Sequence, residues 1–246
     1  EISTIKQFEL IGQYNGRYFK QTKDLDFEYG IAKSFFTNDL PFTGSYNGDG
    51  NKISNITLES SLFIAIGSEG SLENINIVNA TMNTTGKFNG ILVGENNGTI
   101  DSCNVDGFAN GDSGTALIAG INNNLVKNCT TSGSAKATMK VYSASNGYGA
   151  GGIVSYNSKT GRILSSSSNA QVGSVNNGNS SHYTGGIVGV NDGIVIDCNS
   201  DVSFFVSSNW YKAGGVAGRN TSKIQNSYYT GNYNVNIACE NEGVIE

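Results

Sequence analysis

The chain has 246 residues, among them 33 glycines and a single proline, and only 14% of its residues are charged. Low charge, together with Tyr, Phe, Val and Ile spread along the sequence, argues against a disordered chain. The net charge of −5 and the pI near 4.9 speak against a nucleic-acid partner, which rewards clustered Lys and Arg. No apolar run of about 18 residues occurs, so we expect no insertion of this segment into a membrane.

The first third of the sequence is rich in Phe and Tyr and differs from the rest. The spacing Leu72-x-x-Ile75 matches an I-x-x-C spacing of the later repeats, which indicates that stacked strands already begin within this third. We predict that residues 1–49 form an atypical capping region and that residues 50–246 form the repeats, within one structural domain. A cap has a physical role here, because an uncovered strand edge invites aggregation.

A short phrase centred on an asparagine recurs in the remaining two thirds. Its copies are separated by 26, 35, 34, 29 and 21 residues, and such periods with a fixed internal phrase are typical of stacked-repeat proteins. The six asparagines are Asn96, Asn122, Asn157, Asn191, Asn220 and Asn241. Short apolar runs bounded by Gly and Asn flank each of them, which predicts two strands joined by a turn in every repeat.

A strand–turn–strand unit of this size cannot bury its apolar face alone. The sequence therefore predicts an all-β fold, a right-handed parallel β-helix (β-solenoid) of about eight or nine turns with an atypical N-terminal capping region. The asparagines are expected to hydrogen-bond from one turn to the next as a ladder, and to tolerate the left-handed backbone of a corner. The alternative is that Asn is simply common in turns.

Three of the four cysteines share one column of the repeat, in which Ser166 and Ser227 stand in other copies. This alternation of Cys with Ser indicates a small interior filler. The three are Cys103, Cys129 and Cys198. Stacking would also bring Cys103 and Cys129 near enough for a disulfide, and the sequence leaves this open. The sole histidine lies far from this column, so we expect no metal site, and we expect no cofactor.

Aromatic residues occur in the half of the repeat that varies in length, just before pairs of glycines. Because insertions in successive turns fall on one side of a solenoid, these rings are expected to line one edge. The predicted ligand-binding residues are Tyr148, His182, Tyr183, Trp210 and Tyr211. Flat rings among Asn and Ser suit sugars, and Tyr and Trp also anchor protein contacts. Alternatively, the rings fold back and cover the corners of the solenoid.

Catalytic constellations are not evident. The aspartates form no acidic stack in the repeat alignment, as paired carboxylates for carbohydrate cleavage would require. One histidine in a loop of Gly, Asn and Ser, with no G-x-S-x-G turn, does not indicate a Ser–His–Asp site. We therefore predict that the chain is not an enzyme.

The opening of the chain resembles that of GLUG-repeat proteins. The residues that carry the resemblance are Tyr18-Phe19, Asp24–Phe27, Phe42–Ile56 and Leu62-Phe63, followed by the phrases GG[IV]VG-x-N-x-G-x-I-x-x-C. The likeness covers roughly residues 14–246, although Ser155 replaces an expected glycine and the turn of that copy is longer. It implies a right-handed β-helix on a bacterial exterior, in an adhesin-type protein, and it carries over no catalytic residue.

The expected function is therefore that of an extracellular bacterial adhesin segment at the cell surface, monomeric as a fragment excised from a longer protein. Its partner would be a glycan or protein on a host or neighbouring cell, with a glycan preferred. Two alternatives stay open: a structural stalk that binds nothing, and a β-helix enzyme that cleaves polysaccharides.

Overall fold

The computed structural model describes residues 1–138, 148–174, 182–205 and 211–246, and for Tyr211 it describes the backbone alone. Strands form 54% of the chain and helices 4%. A short α-helix, α1, spans Ile5–Glu9 and a 3₁₀ turn spans Ile11–Gln13. No helix within these described ranges is long and apolar enough to cross a membrane.

The strands of the first half of the chain are β1 Tyr18–Lys20, β2 Leu25–Asp26, β3 Ser45–Asn47, β4 Lys52–Ser54, β5 Thr57–Leu58, β6 Phe63–Ile66, β7 Ser71–Glu73, β8 Asn76–Asn83, β9 Lys87–Gly90, β10 Val93–Asn96, β11 Thr99–Asp101, β12 Asn104–Gly111, β13 Ser113–Ala116, β14 Ala119–Asn122, β15 Leu125–Lys127 and β16 Thr130–Ala137. Those of the second half are β17 Tyr148–Gly151, β18 Val154–Asn157, β19 Arg162–Leu164, β20 Ser167–Ser168, β21 Gln171–Ser174, β22 His182–Gly185, β23 Val188–Asn191, β24 Ile194–Ile196, β25 Asn199–Ser200, β26 Ser203–Phe205, β27 Tyr211–Gly214, β28 Ala217–Asn220, β29 Lys223–Gln225, β30 Tyr228–Tyr229, β31 Ala238–Asn241 and β32 Val244–Ile245.

These strands build four parallel sheets that run along a β-solenoid of about seven turns. One turn passes through each sheet once: β11 lies in the first sheet, β12 in the second, β13 in the third and β14 in the fourth, and β15 then pairs with β11. Within the described parts of the chain, the first sheet has nine strands, the second eleven, the third five and the fourth seven. The predicted parallel β-solenoid is thus confirmed.

The turn number is lower than the eight or nine expected, because the chain adds strands to some sheets before it completes a turn. At the N-terminus β1 and β2 already join the first and second sheets, through β3 and β4. The fourth sheet begins only at β6, and the third only at β9.

Aromatic residues close the N-terminal end of the stack. The ring of Phe8, from α1, meets the rings of Phe27, Phe35 and Tyr46 edge to face, with centroids 5.8, 5.2 and 6.0 Å apart. Phe8 is fully buried, and edge-to-face pairs add about 0.5–1.5 kcal/mol each beyond the burial of area. The helix therefore acts as a plug over the first turns.

The interior of the solenoid is a continuous column of aliphatic side chains. Residues in register in the first sheet are fully buried in successive turns: Leu72, Ile100, Val126, Ile163, Val195 and Ile224. The cysteine column lies beside them, and Cys103, Cys129 and Cys198 are buried free thiols. The disulfide left open by the sequence is therefore absent from the structure, and these cysteines fill space.

The asparagine phrase forms a ladder. Each Nδ2 donates to the Oδ1 of the next turn, from Asn96 through Asn122, Asn157, Asn191 and Asn220 to Asn241, at 2.7, 2.8, 2.8, 2.8 and 2.7 Å. The first five side chains are fully buried. None of the six has a positive φ, so the expectation of a left-handed backbone at these positions was wrong. Instead, Oδ1 of Asn96 accepts from the backbone N–H of Gly98 at 3.0 Å and closes the turn that follows.

The left-handed backbone occurs at another corner, between the first and second sheets. The residue directly before the Cys/Ser column has φ between 47° and 55° in six turns: Asn74, Ser102, Asn128, Ser165, Asp197 and Asn226. Asn, Asp and Ser tolerate this conformation because their short polar side chains bond locally. This column turns the chain from one sheet into the next.

Candidate binding surfaces

The third sheet aligns three of the long side chains that precede the glycine pairs. Tyr148 pairs in register with Tyr183, and Tyr183 with Lys212. The glycines that follow, Gly151 and Gly185, are also in register. Since stacked strands lie about 4.8 Å apart, these side chains form a row along one side of the solenoid. Of the predicted residues whose side chains are described, Tyr148 and Tyr183 share this row and His182 does not.

A three-ring cluster lies at one end of this row. The ring of Tyr148 meets that of Phe88 at 4.7 Å and that of Tyr156 at 5.1 Å, both edge to face. Phe88 and Tyr156 are 6.3 Å apart, and all three residues are only partly buried. We call Phe88, Tyr148, Tyr156 and Tyr183 the aromatic edge.

Tyr156 was not predicted as a site residue. It lies in the fourth sheet, one residue before the ladder, where the neighbouring turns carry Ile121 and Val190. Its hydroxyl donates to Oδ2 of Asp192 at 2.9 Å. Burial, followed by this carboxylate, raises the pKa of Tyr156, so the phenol stays protonated and the ring is held in one orientation.

The other end of the row is charged. The Tyr183 hydroxyl donates to Glu240, which also pairs with Lys212. The Lys212 ammonium lies 4.7 Å and the Arg219 guanidinium 5.9 Å from the Tyr183 ring centroid, within the range of cation–π attraction. Partial burial opposes ionisation of Glu240, but hydrogen bonds from Lys212 and Tyr183 outweigh it and lower the pKa of Glu240. These contacts fix the ring of Tyr183.

The remaining predicted site residues are placed differently. His182 is 8% exposed and adjoins Tyr183 in an extended strand, so the two side chains project to opposite faces. Its Nδ1 has no partner among the described residues, and burial lowers its pKa. The backbone of Tyr211 pairs with His182, its side chain is not described, and Trp210 lies outside the described residues.

A second surface, missed at the level of sequence, is a polar groove of about 650 Å³ on the outer face of the second sheet. Two rows of side chains line it, one and three residues after the Cys/Ser column. The first row is Asn104, Thr130, Ser167 and Asn199, and the second is Asp106, Ser132, Asn169 and Asp201. These two positions are polar in each of these four turns, and that shared polarity was the signal available in the sequence.

Side chains that line the groove hydrogen-bond to one another, and the two carboxylates of the groove lie far apart. Oδ1 of Asp106 accepts from Ser132 Oγ at 2.7 Å, and the Thr130 hydroxyl donates to Asn104. Asp106 and Asp201 are three turns apart in their row, or about 14 Å at the usual strand spacing. Within the described ranges, no group of three His, Cys, Asp or Glu side chains could hold a metal ion.

Comparison with known proteins gives one partial similarity. Over 81 residues, 30% of the chain, the sequence is 36% identical to halomucin of Haloquadratum walsbyi. The chain spans about 1% of the length of that relative. No protein-family model matches the chain.

Proposed function

We propose that this chain is a segment of a large extracellular surface protein of the GLUG-repeat, adhesin type, and that it attaches to a cell-surface glycan through the aromatic edge. The observation that carries the proposal is the group of rings, contributed by three turns, on one side of a rigid scaffold. Their flat faces suit the apolar faces of sugar rings, and the carboxylates and amides around them suit sugar hydroxyls.

The rigidity of the edge favours binding. Tyr156 is tied to Asp192, and Tyr183 to Glu240 and Lys212, so little side-chain freedom remains to be lost when a ligand binds. Ordering a long side chain on binding costs about 0.5–1.5 kcal/mol. An edge that is already ordered avoids most of that cost.

The surface location is part of the same proposal. The similarity of about a third of the chain to a very small part of halomucin supports a segment of a long surface protein. The repeated scaffold supports it too, since a solenoid grows by addition of turns and displays side chains at regular intervals.

A stalk without a ligand is the second candidate, favoured by the mutual packing of Phe88, Tyr148 and Tyr156, which also protects the corner beneath them. Polysaccharide cleavage receives less support. The groove carboxylates Asp106 and Asp201 stand about 14 Å apart, whereas paired carboxylates of glycoside hydrolases are roughly 5–9.5 Å apart.

A glycan array probed with the fluorescently labelled chain tests the proposal. We expect binding to a defined set of glycans, and loss of that binding in Tyr148→Ala and Tyr183→Ala. Tyr18→Ala is the matched control, because Tyr18 is 66% exposed in the N-terminal region, away from the edge. Absence of binding to any glycan would overturn the proposal in favour of the stalk.

A further inference from the structure

The polar groove on the outer face of the second sheet extends along the axis of the solenoid. Five successive strands of that sheet contribute its lining: β8, β12, β16, β20 and β25. At the usual strand spacing they span about 19 Å. The groove volume of about 650 Å³ lies within the range of ligand sites, about 300–1,000 Å³. The groove therefore has the length and the volume for an extended ligand.

Polar side chains of the groove are accessible and have unused hydrogen-bonding capacity. Asn104, Asn169 and Asp201 are all exposed. The Asn169 amide and the Asp201 carboxylate have no hydrogen-bond partner among the described residues. Asn104 Oδ1 accepts from the Thr130 hydroxyl, which leaves the Asn104 Nδ2 group to donate elsewhere. Because amides donate and accept while a carboxylate accepts, the groove offers both kinds of group to a ligand.

Two exposed aromatic rings flank this polar surface. Exposed and buried residues alternate along β12, so Asp106 and Phe108 share its outer face. Phe108 is 57% exposed and Tyr228 is 54% exposed. Tyr228 pairs in register with Asn199, in the strand that follows the last strand of the groove. Since β12 and β30 are four strand spacings apart in the second sheet, the two residues are separated along the axis by about 19 Å.

The lining does not suit a charged ligand or a peptide. Its residues, which all belong to the described ranges, include no Lys, Arg or His, the side chains that bind phosphate and carboxylate groups. Asp106 and Asp201 are about 14 Å apart, too far to share one cation. An extended peptide joins a free sheet edge, whereas the central strands here are already paired on both sides. A neutral ligand with many hydroxyls and with apolar ring faces satisfies these conditions.

From these observations we infer that the groove binds one extended, neutral polysaccharide chain that lies along the axis of the solenoid. The side chains of Asn104, Asn169 and Asp201 hydrogen-bond to sugar hydroxyls. The rings of Phe108 and Tyr228 contact the apolar faces of sugar units about 19 Å apart along the axis. This site lies on the second sheet, whereas the aromatic edge belongs to the third and fourth sheets. The inference is therefore independent of the proposed function.

Isothermal titration calorimetry of the whole chain with cellohexaose, mannohexaose, maltohexaose and laminarihexaose tests the inference. We expect at least one to bind, and the disaccharide of the same linkage to bind at least about tenfold more weakly, because it cannot reach from one ring to the other. The affinity should not depend on salt, since the ligand carries no charge.

Two exposed residues of the site can be removed without disturbing the fold. Phe108→Ala and Asn169→Ala should each weaken hexasaccharide binding about tenfold, and their melting temperatures should stay unchanged because substitutions at exposed positions rarely affect stability. Tyr18→Ala is the matched control, since Tyr18 is an exposed ring on the first sheet, and it should bind as the unaltered chain does. If none of the four hexasaccharides binds, or if the disaccharide binds as tightly, the inference is wrong.

The remaining variants identify the ligand class and the site. Asp201→Asn keeps an acceptor and should retain the sugar; loss of binding in this variant, together with a steep salt dependence, would show a cationic ligand and overturn the inference. Hexasaccharide binding that is lost in Tyr148→Ala and kept in Phe108→Ala would place the sugar at the aromatic edge, so that the inference fails and the proposed function stands. Array binding that is lost in Phe108→Ala and kept in Tyr148→Ala and Tyr183→Ala would support the groove and overturn the proposed function.

Discussion

Asn157 Nδ2 donates to Asn191 Oδ1 at 2.8 Å, and both side chains are fully buried. The relationship repeats along the solenoid, so an interior rung loses two ladder bonds when its amide is removed. Amide ladders between stacked turns satisfy polar groups that the corner would otherwise bury without partners.

We predict that Asn157→Ala lowers the free energy of unfolding by about 1–3 kcal/mol, because it removes two buried ladder bonds. Asn122 Nδ2 then keeps only its bonds to the carbonyls of Asn124 and Arg162, and Asn191 Oδ1 keeps only its bond from the backbone N–H of Gly193. Urea unfolding followed by circular dichroism measures this. Asn241→Ala is the matched control: Asn241 accepts from Asn220 but is exposed, so its loss should cost less than about 1 kcal/mol. Equal costs at both positions would contradict the role of buried pairing.

The ladder and the parallel stack were predictable because one phrase recurs with one residue type. The left-handed corner was not, because Asn74, Ser102 and Asp197 share a conformation without sharing an identity. Several short polar residues are tolerated at that corner, so no single residue type recurs there in the sequence.

The candidate sites were predictable only in part. Tyr148 and Tyr183 both lie just before the glycine pairs of their repeats, but Tyr148 is one residue further from its pair, and a register shift between Tyr148 and Gly151 brings the two into alignment. Tyr156 joins them from a different sheet, and its repeat position is aliphatic in the neighbouring turns.

Because the cysteine column is buried, we expect the folded chain to lose stability at high pH. Burial raises the pKa of Cys198 from its ordinary value of 9.0 to about 12, so the folded chain keeps the thiol protonated where the unfolded chain ionises. The stabilisation is fully present below pH 9 and is lost as pH rises from 9 toward 12, by about 1.4 kcal/mol per unit. Urea unfolding at pH 8, 9 and 10 measures this loss.

Cys198→Ser is the variant that isolates this group, since Ser166 and Ser227 occupy the same column in other turns. Above pH 9, the free energy of unfolding of this variant should decrease less steeply with pH than that of the unaltered chain. Cys239→Ser, at a partly buried position, should change the slope less. If the free energy of unfolding falls equally steeply above pH 9 in the unaltered chain and in Cys198→Ser, the Cys198 thiol is not the group responsible.

For the single histidine we expect the opposite dependence: stability falls as the pH is lowered. Burial lowers the pKa of His182 below its ordinary 6.5, so the unfolded chain takes up a proton that the folded chain resists. Stability is therefore full above pH 6.5 and decreases as pH falls below it, by at most about 1.4 kcal/mol per unit. Because the chain has one histidine, His182→Gln should remove this dependence between pH 7 and 5.5. A variant that keeps the full slope would show that carboxylates cause it.

Tyr156 separates the two interpretations of the aromatic edge, since its ring and its hydroxyl can be removed one at a time. Tyr156→Phe loses only the bond to Asp192 and should lower the free energy of unfolding by about 1 kcal/mol while array binding persists. Tyr156→Ala also loses the ring contacts to Tyr148 and Phe88, and should weaken glycan binding about tenfold, a loss of 1.4 kcal/mol. If Tyr156→Ala has a lower melting temperature than the unaltered chain but binds glycans equally well, the ring covers the corner and the ligand contacts lie elsewhere. If both variants lose binding equally, the hydroxyl and its hold on Asp192 make the contact, rather than the ring face.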